Sequence, residues 1–121
     1  MKTVSKEIQT LSIKSLQSTL RKLENAYKSM TENNSNTTLV EKRRDAVKVG
    51  FDCLENAWHG TKFLYDEGTI LSAKQILQDL LPSIQKQYEK AKEGSAQKTI
   101  IERRIRAIDL AIEALEDYIQ K

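Results

Sequence analysis

TLVEKRR (residues 38–44) and TIIERRI (residues 99–105) repeat one threonine, glutamate and arginine pattern 61 positions apart in a chain of 121 residues. The offset extends far beyond these two stretches. From Leu16 to the end, the same shift superposes the two halves without a gap. Leu16/Leu77, Leu20/Leu81, Tyr27/Tyr88, Ala46/Ala107 and Leu54/Leu115 become identical pairs, and Val40/Ile101 and Val47/Ile108 conservative ones. Any two amphipathic helices resemble each other because heptads repeat. Heptads alone, however, would not keep a polar turn and a Thr-x-x-Glu in step across two helices. The repeat therefore predicts a duplicated helical hairpin within one domain, residues 1–121. The first copy covers about residues 5–60 and the second about 69–121.

Apolar spacing of three and four supplies the helices. Helix one is expected from about Ser5 to Thr31, with Ile8, Leu11, Leu16, Leu20, Leu23 and Tyr27 inward. Helix two runs from Leu39 to about Ala57, on Val40, Val47, Phe51, Leu54 and Trp58. Helix three covers roughly Ile70 to Lys92, where Pro82 either kinks the helix or starts a fresh one capped by Asp79. Helix four, Ile100 to about Ile119, has the most regular seam, from Ile101 through Ile105, Ile108, Ile112 and Leu115. Polar stretches ENNSNT and EGSAQK form the two outer turns. The middle connection carries Phe63, Leu64 and Tyr65 and should pack against the bundle. Short connections imply antiparallel neighbours, so the expected fold is all-α: an up-down-up-down four-helix bundle with a pseudo-twofold axis.

Composition agrees. One proline and four glycines provide too little punctuation for a sandwich or barrel, and a 31% charged fraction suits a helical surface. No apolar run reaches bilayer-spanning length, so no membrane association is expected. The first residues lack the continuous apolar core of a signal peptide. A single cysteine, Cys53, allows no intramolecular disulfide, which favours a cytoplasmic location. The net charge of +3 is mildly basic, short of a dedicated nucleic-acid binder.

Thr38 and Thr99, each followed three residues later by Glu41 or Glu102, read as capping boxes that start helices two and four. Capping explains the threonines and glutamates but not the cations behind them. Positive charge near a helix N-terminus opposes the macrodipole. Yet Lys42, Arg43 and Arg44 follow one cap, and Arg103, Arg104 and Arg106 the other. Parallel helices two and four would gather these six residues at one bundle end. They would form a basic patch for an anion, a nucleotide phosphate or a nucleic-acid backbone. The alternative is a solvated surface in which Glu41, Asp45, Glu102 and Asp109 pair them locally. Arg44 aligns with the seam residue Ile105, so it either snorkels from the bundle end or anchors a ligand.

His59 is the sole histidine, too few for the Glu-x-x-His pairs of di-iron bundles or for Cys/His zinc sites. Cys53 precedes it by six residues, with His59 just past the end of helix two, so the two are not expected to share a face as a thiol–imidazole dyad. No phosphate-binding glycine loop or nucleophile elbow occurs. No enzyme activity, metal or cofactor is expected. Trp58-His59-Gly60, in an interhelical connection, resembles the Trp-x-Gly turn of small secreted helical hairpins of the WXG type. That resemblance implies a secreted helical protein. The chain departs from it in its second hairpin, and in having only Ile-Gln-Lys after Tyr118 where an export motif would stand.

Val49 and Leu110 lie off the main stripes of helices two and four, and with Trp58 form the candidate partner surface. They either stand exposed for a partner or cover the bundle's shoulder. The sequence thus favours a non-catalytic interaction module that binds a protein partner or itself, with an anion or nucleic-acid binder as the rival class.

Overall fold

The structure, a computed structural model, describes residues 3–120. Four helices account for most of them: α1 (Lys6–Glu32), α2 (Thr38–His59), α3 (Glu67–Lys90) and α4 (Ala96–Ile119). No strand occurs among the described residues, and the arrangement is consistent with a four-helix bundle.

Local chemistry sets the helix boundaries, and it differs from the expected caps. Ser5, Asp66 and Ser95 cap α1, α3 and α4, each side chain accepting from a backbone N–H three residues on. Thr99 is therefore not the cap of α4 but its fourth residue, and Glu102 lies two turns in. At α2 the cap residue is Thr37, whose hydroxyl donates to Glu41 at 2.9 Å instead of accepting a backbone N–H. Asn36 Oδ1 takes the Thr38 N–H at 2.9 Å. Ser95 prevails over Thr99 because a polar first turn, Ala96–Gln97–Lys98–Thr99, extends the helix below its first apolar residue. Gly60 ends α2 with φ 71°, a left-handed conformation open to glycine at little cost.

Pro82 does not break α3, which runs continuously from Glu67 to Lys90. Asp79 accepts a hydrogen bond from Gln75 at 2.9 Å and starts no new helix. Proline removes a single backbone donor, and Ile84 (7% exposed) and Leu77 (0%) hold the helix to the core on either side.

α1 packs on α2 and α4, α3 packs on α2 and α4, and α2 meets α4 directly, whereas the backbones of α1 and α3 make no close approach. Small residues permit the central contact: Ala46, Gly50 and Cys53 on α2 and Ala107, Ala111 and Ala114 on α4 are all buried. A methyl group placed on Gly50 would lie 3.1 Å from Ala111 Cβ and 3.1 Å from Leu77 Cδ1. Around this crossing Leu16, Val47, Leu54, Leu77, Ile108 and Leu115 are completely enclosed. Each contributes roughly 1.5–3 kcal/mol by leaving water.

The middle connection packs as expected. Phe63 is buried and meets the Tyr118 ring edge-on at 4.7 Å and the Tyr65 ring at 5.1 Å. Tyr65 donates to Asp52 Oδ2 at 2.6 Å, tying the connection to α2. Leu64, between them, faces solvent.

Candidate functional site

Four of the six cations line grooves: Lys42 lies in one, while Arg103 shares one cleft with Arg104 and another with Arg106. Lys42 lines a groove between α2 and α3 of about 420 Å³, where Asp45 and Asp66 also lie. Arg44 covers the Tyr27 ring, its guanidinium carbon 4.7 Å from the centroid, and pairs with Asp45 at 3.1 Å. It is thus a half-buried cation on an aromatic face, with Asp45 as its local carboxylate. Arg106 stands 3.8 Å from Glu102. Arg43 is half-buried on α2. Arg103 and Arg104 line an open cleft of about 210 Å³ between α4 and α1, with Lys14, Ser15 and Ser18 opposite and Leu11 and Ile100 as apolar walls. The macrodipole conflict is also weaker than the sequence implied. The α4 arginines begin two turns into their helix, beyond the reach of its N-terminal field.

Arg104 differs from the other five. Burial lowers its pKa from the usual arginine range, and its Nε–H has no acceptor among the described residues. No carboxylate lines the cleft, and Lys14, Arg103 and Arg104 make no ion pair among the described residues.

Val49 and Leu110 are not exposed: they retain 3% and 5% of their surface. The central position of α2 and α4 is the reason, since each has three helical neighbours and its off-stripe residues are covered too. Both nevertheless line grooves. Val49 lies in the α2–α3 groove beside Ala46 and Ala73. Leu110 lines a larger one, about 810 Å³, bounded by α4, the end of α3 and the start of α1. Its apolar lining is Val4, Ile8, Tyr88, Ile105 and Leu110. Glu89, Glu102, Asp109 and Glu113 line it as well, with Arg106 the one cation. The Asp109 carboxyl is pushed up from the usual range, first by partial desolvation and then by the Glu113 charge. Trp58 is half-buried against the core, two residues before the glycine that ends α2.

Cys53 is buried, whereas His59 is exposed with Nδ1 3.0 Å from Glu55 Oε1. Among the described residues no group of three His, Cys, Asp or Glu side chains could hold a metal ion. No helix there is long and apolar enough to cross a membrane. No family model, curated protein or solved structure matches the chain.

Proposed function

We propose that the chain is a non-catalytic protein-binding module, a single domain made by duplication of a helical hairpin and folded as an antiparallel up-down-up-down bundle. Three observations support the architecture. Residues 61 apart have matching burial, as in Leu16/Leu77, Val47/Ile108 and Leu54/Leu115, all at 0%. Gly50 and Ala111, which meet at the central crossing, share that offset. Along α1 and α4, one cleft is lined by Ile8, Leu11 and Ser12 with Glu102 and Arg106, and the next by Ser15 and Ser18 with Ile100, the order of antiparallel neighbours.

The groove of about 810 Å³ carries the binding reading. An apolar floor edged by four carboxylates complements a cationic amphipathic segment, whose apolar face would cover Ile8, Ile105 and Leu110 while its lysines or arginines meet the rim. Self-association through this groove is the competing use of the same surface. A fourteen-residue leucine–lysine amphipathic peptide tests the charge pattern by backbone NMR shift mapping. Expected shifts concentrate on Ile8, Ile105 and Leu110, and the variant Glu89→Lys/Glu113→Lys weakens binding about tenfold or more. Shifts spread over all four helices, or binding indifferent to the rim reversal, would overturn the reading. Concentration-dependent size in the absence of peptide would assign the groove to a second copy.

A further inference from the structure

We propose that Lys14, Arg103 and Arg104, with the hydroxyls of Ser15 and Ser18, form a binding site for a phosphate-type oxyanion in the cleft between α1 and α4. Cations on protein surfaces are ordinarily solvated or paired, as Arg44 is with Asp45. Here three cations share one concave surface that no carboxylate lines. Like charges so placed repel one another, and a bound anion removes the repulsion.

Arg104 makes the site more than a charge run. Its guanidinium is partly withdrawn from water, and among the described residues it has no compensating carboxylate and Nε is buried with no acceptor. A buried donor left unmade is unfavourable, so an acceptor that reached this guanidinium would be favoured. A modest swing toward the cleft would offer Nε and Nη to an oxyanion as a fork.

The donor set selects the class. A carboxylate is planar, singly charged and satisfied by one arginine. Three cations and two hydroxyls approaching from two helices suit a tetrahedral, doubly charged group. The open cleft of about 210 Å³ has room for a phosphoryl group, whether inorganic phosphate or the head of a small phosphomonoester, and the two share this chemistry. The site is separate from the acidic groove, whose lining includes neither Lys14, Arg103 nor Arg104, and it does not depend on that groove binding a peptide.

The test is an NMR titration of the full chain, following the Arg104 Nε–Hε resonance and the backbone amides of Ser15 and Ser18. Inorganic phosphate, glycerol 3-phosphate and potassium chloride are compared at matched ionic strength. Saturable shifts with phosphate or its ester, but not with chloride, are expected. Arg104→Gln should weaken binding about tenfold or more, and Arg104→Lys less. Lys14→Gln, on the exposed face of α1, should weaken it as well and keeps the claim testable if the Arg104 variants fold poorly. Tighter saturation by the ester identifies a phosphorylated small molecule as the ligand type, and equal saturation identifies free phosphate. Unsaturable shifts matching those of chloride, or full affinity in Lys14→Gln and Arg104→Gln, would overturn the proposal.

Discussion

Gly50 on α2 faces Ala111 on α4 so closely that a Cβ on Gly50 would sit 3.1 Å from the Ala111 Cβ. Leu77 Cδ1 closes the same space at 3.1 Å, and both neighbours are fully buried. Two residues related by a twofold axis meet only where the axis passes. The shared offset of 61 positions is thus what the proposed duplication requires at its centre. One half places a hydrogen there and the other a methyl, so that the two backbones can approach.

Gly50→Ala should therefore destabilise the protein, although alanine is the better helix former by about 1 kcal/mol. A distance of 3.1 Å demands that a neighbour move. The Ala111 methyl has no torsion to relieve it, and Leu77 is enclosed. Overpacking of this kind costs about 1–3 kcal/mol, leaving a net loss of about 1 kcal/mol. The exchange Gly50→Ala/Ala111→Gly should recover most of it, because the crossing accepts one methyl on either helix. Urea unfolding of the two single variants and the exchange would show this as strong non-additivity.

Helix existence and the core were legible because period-3.6 burial leaves a direct trace in sequence. Leu16, Leu54, Leu77 and Leu115 stand on their stripes and are fully buried. The central pairing of α2 with α4 left its trace too, in the small residues at 46, 50, 53, 107, 111 and 114, and it explains why Val49 and Leu110 are covered. The candidate site was less legible. Consecutive helical residues turn by about 100°, so Arg103 stands between two clefts, sharing one with Arg104 and the other with Arg106, while Arg104 and Arg106 point apart. Lys14 belongs to another helix and carries no local signal of its company.

The cap assignment gives a direct comparison. Ser95→Ala removes the acceptor for the Lys98 N–H, a bond of 3.1 Å, and should cost about 1 kcal/mol. Thr99→Ala, inside the first turn, should change stability by less than about 0.5 kcal/mol. Thermal unfolding of both variants checks the order. A larger loss for Thr99→Ala would restore the capping box that TIIERRI suggests.

Tyr65 ties the middle connection to α2 and should make the fold sensitive to alkali. Its pKa is pushed up from 10.0 to about 12 by burial, by its hydrogen bond to Asp52 and by that carboxylate's charge. The folded state thus holds the phenolic proton more tightly than the unfolded chain does. The contribution is complete below pH 10 and is lost as pH rises through about 12. Melting temperature should fall across that window, and less steeply in Tyr65→Phe, which starts lower because it lacks the hydrogen bond. Parallel melting curves for the two proteins above pH 10 would exclude Tyr65 as the source.

Asp109 works in the opposite pH range and bears on the acidic groove. Partial desolvation and the neighbouring Glu113 raise its pKa from 3.8, so folding favours the protonated form. The associated stability is present below pH 3.8 and disappears as pH rises through the folded-state value, leaving the carboxylate unfavourable at neutrality. Asp109→Asn should then raise stability at pH 7 by a few tenths of a kcal/mol, solvent screening keeping the effect small. At pH 3 the variant and the parent should melt together. A cationic segment in the groove would relieve the same repulsion, so Asp109→Asn should gain stability in the free protein yet bind the amphipathic peptide more weakly. Gains in both would place the groove's function elsewhere than in its carboxylates.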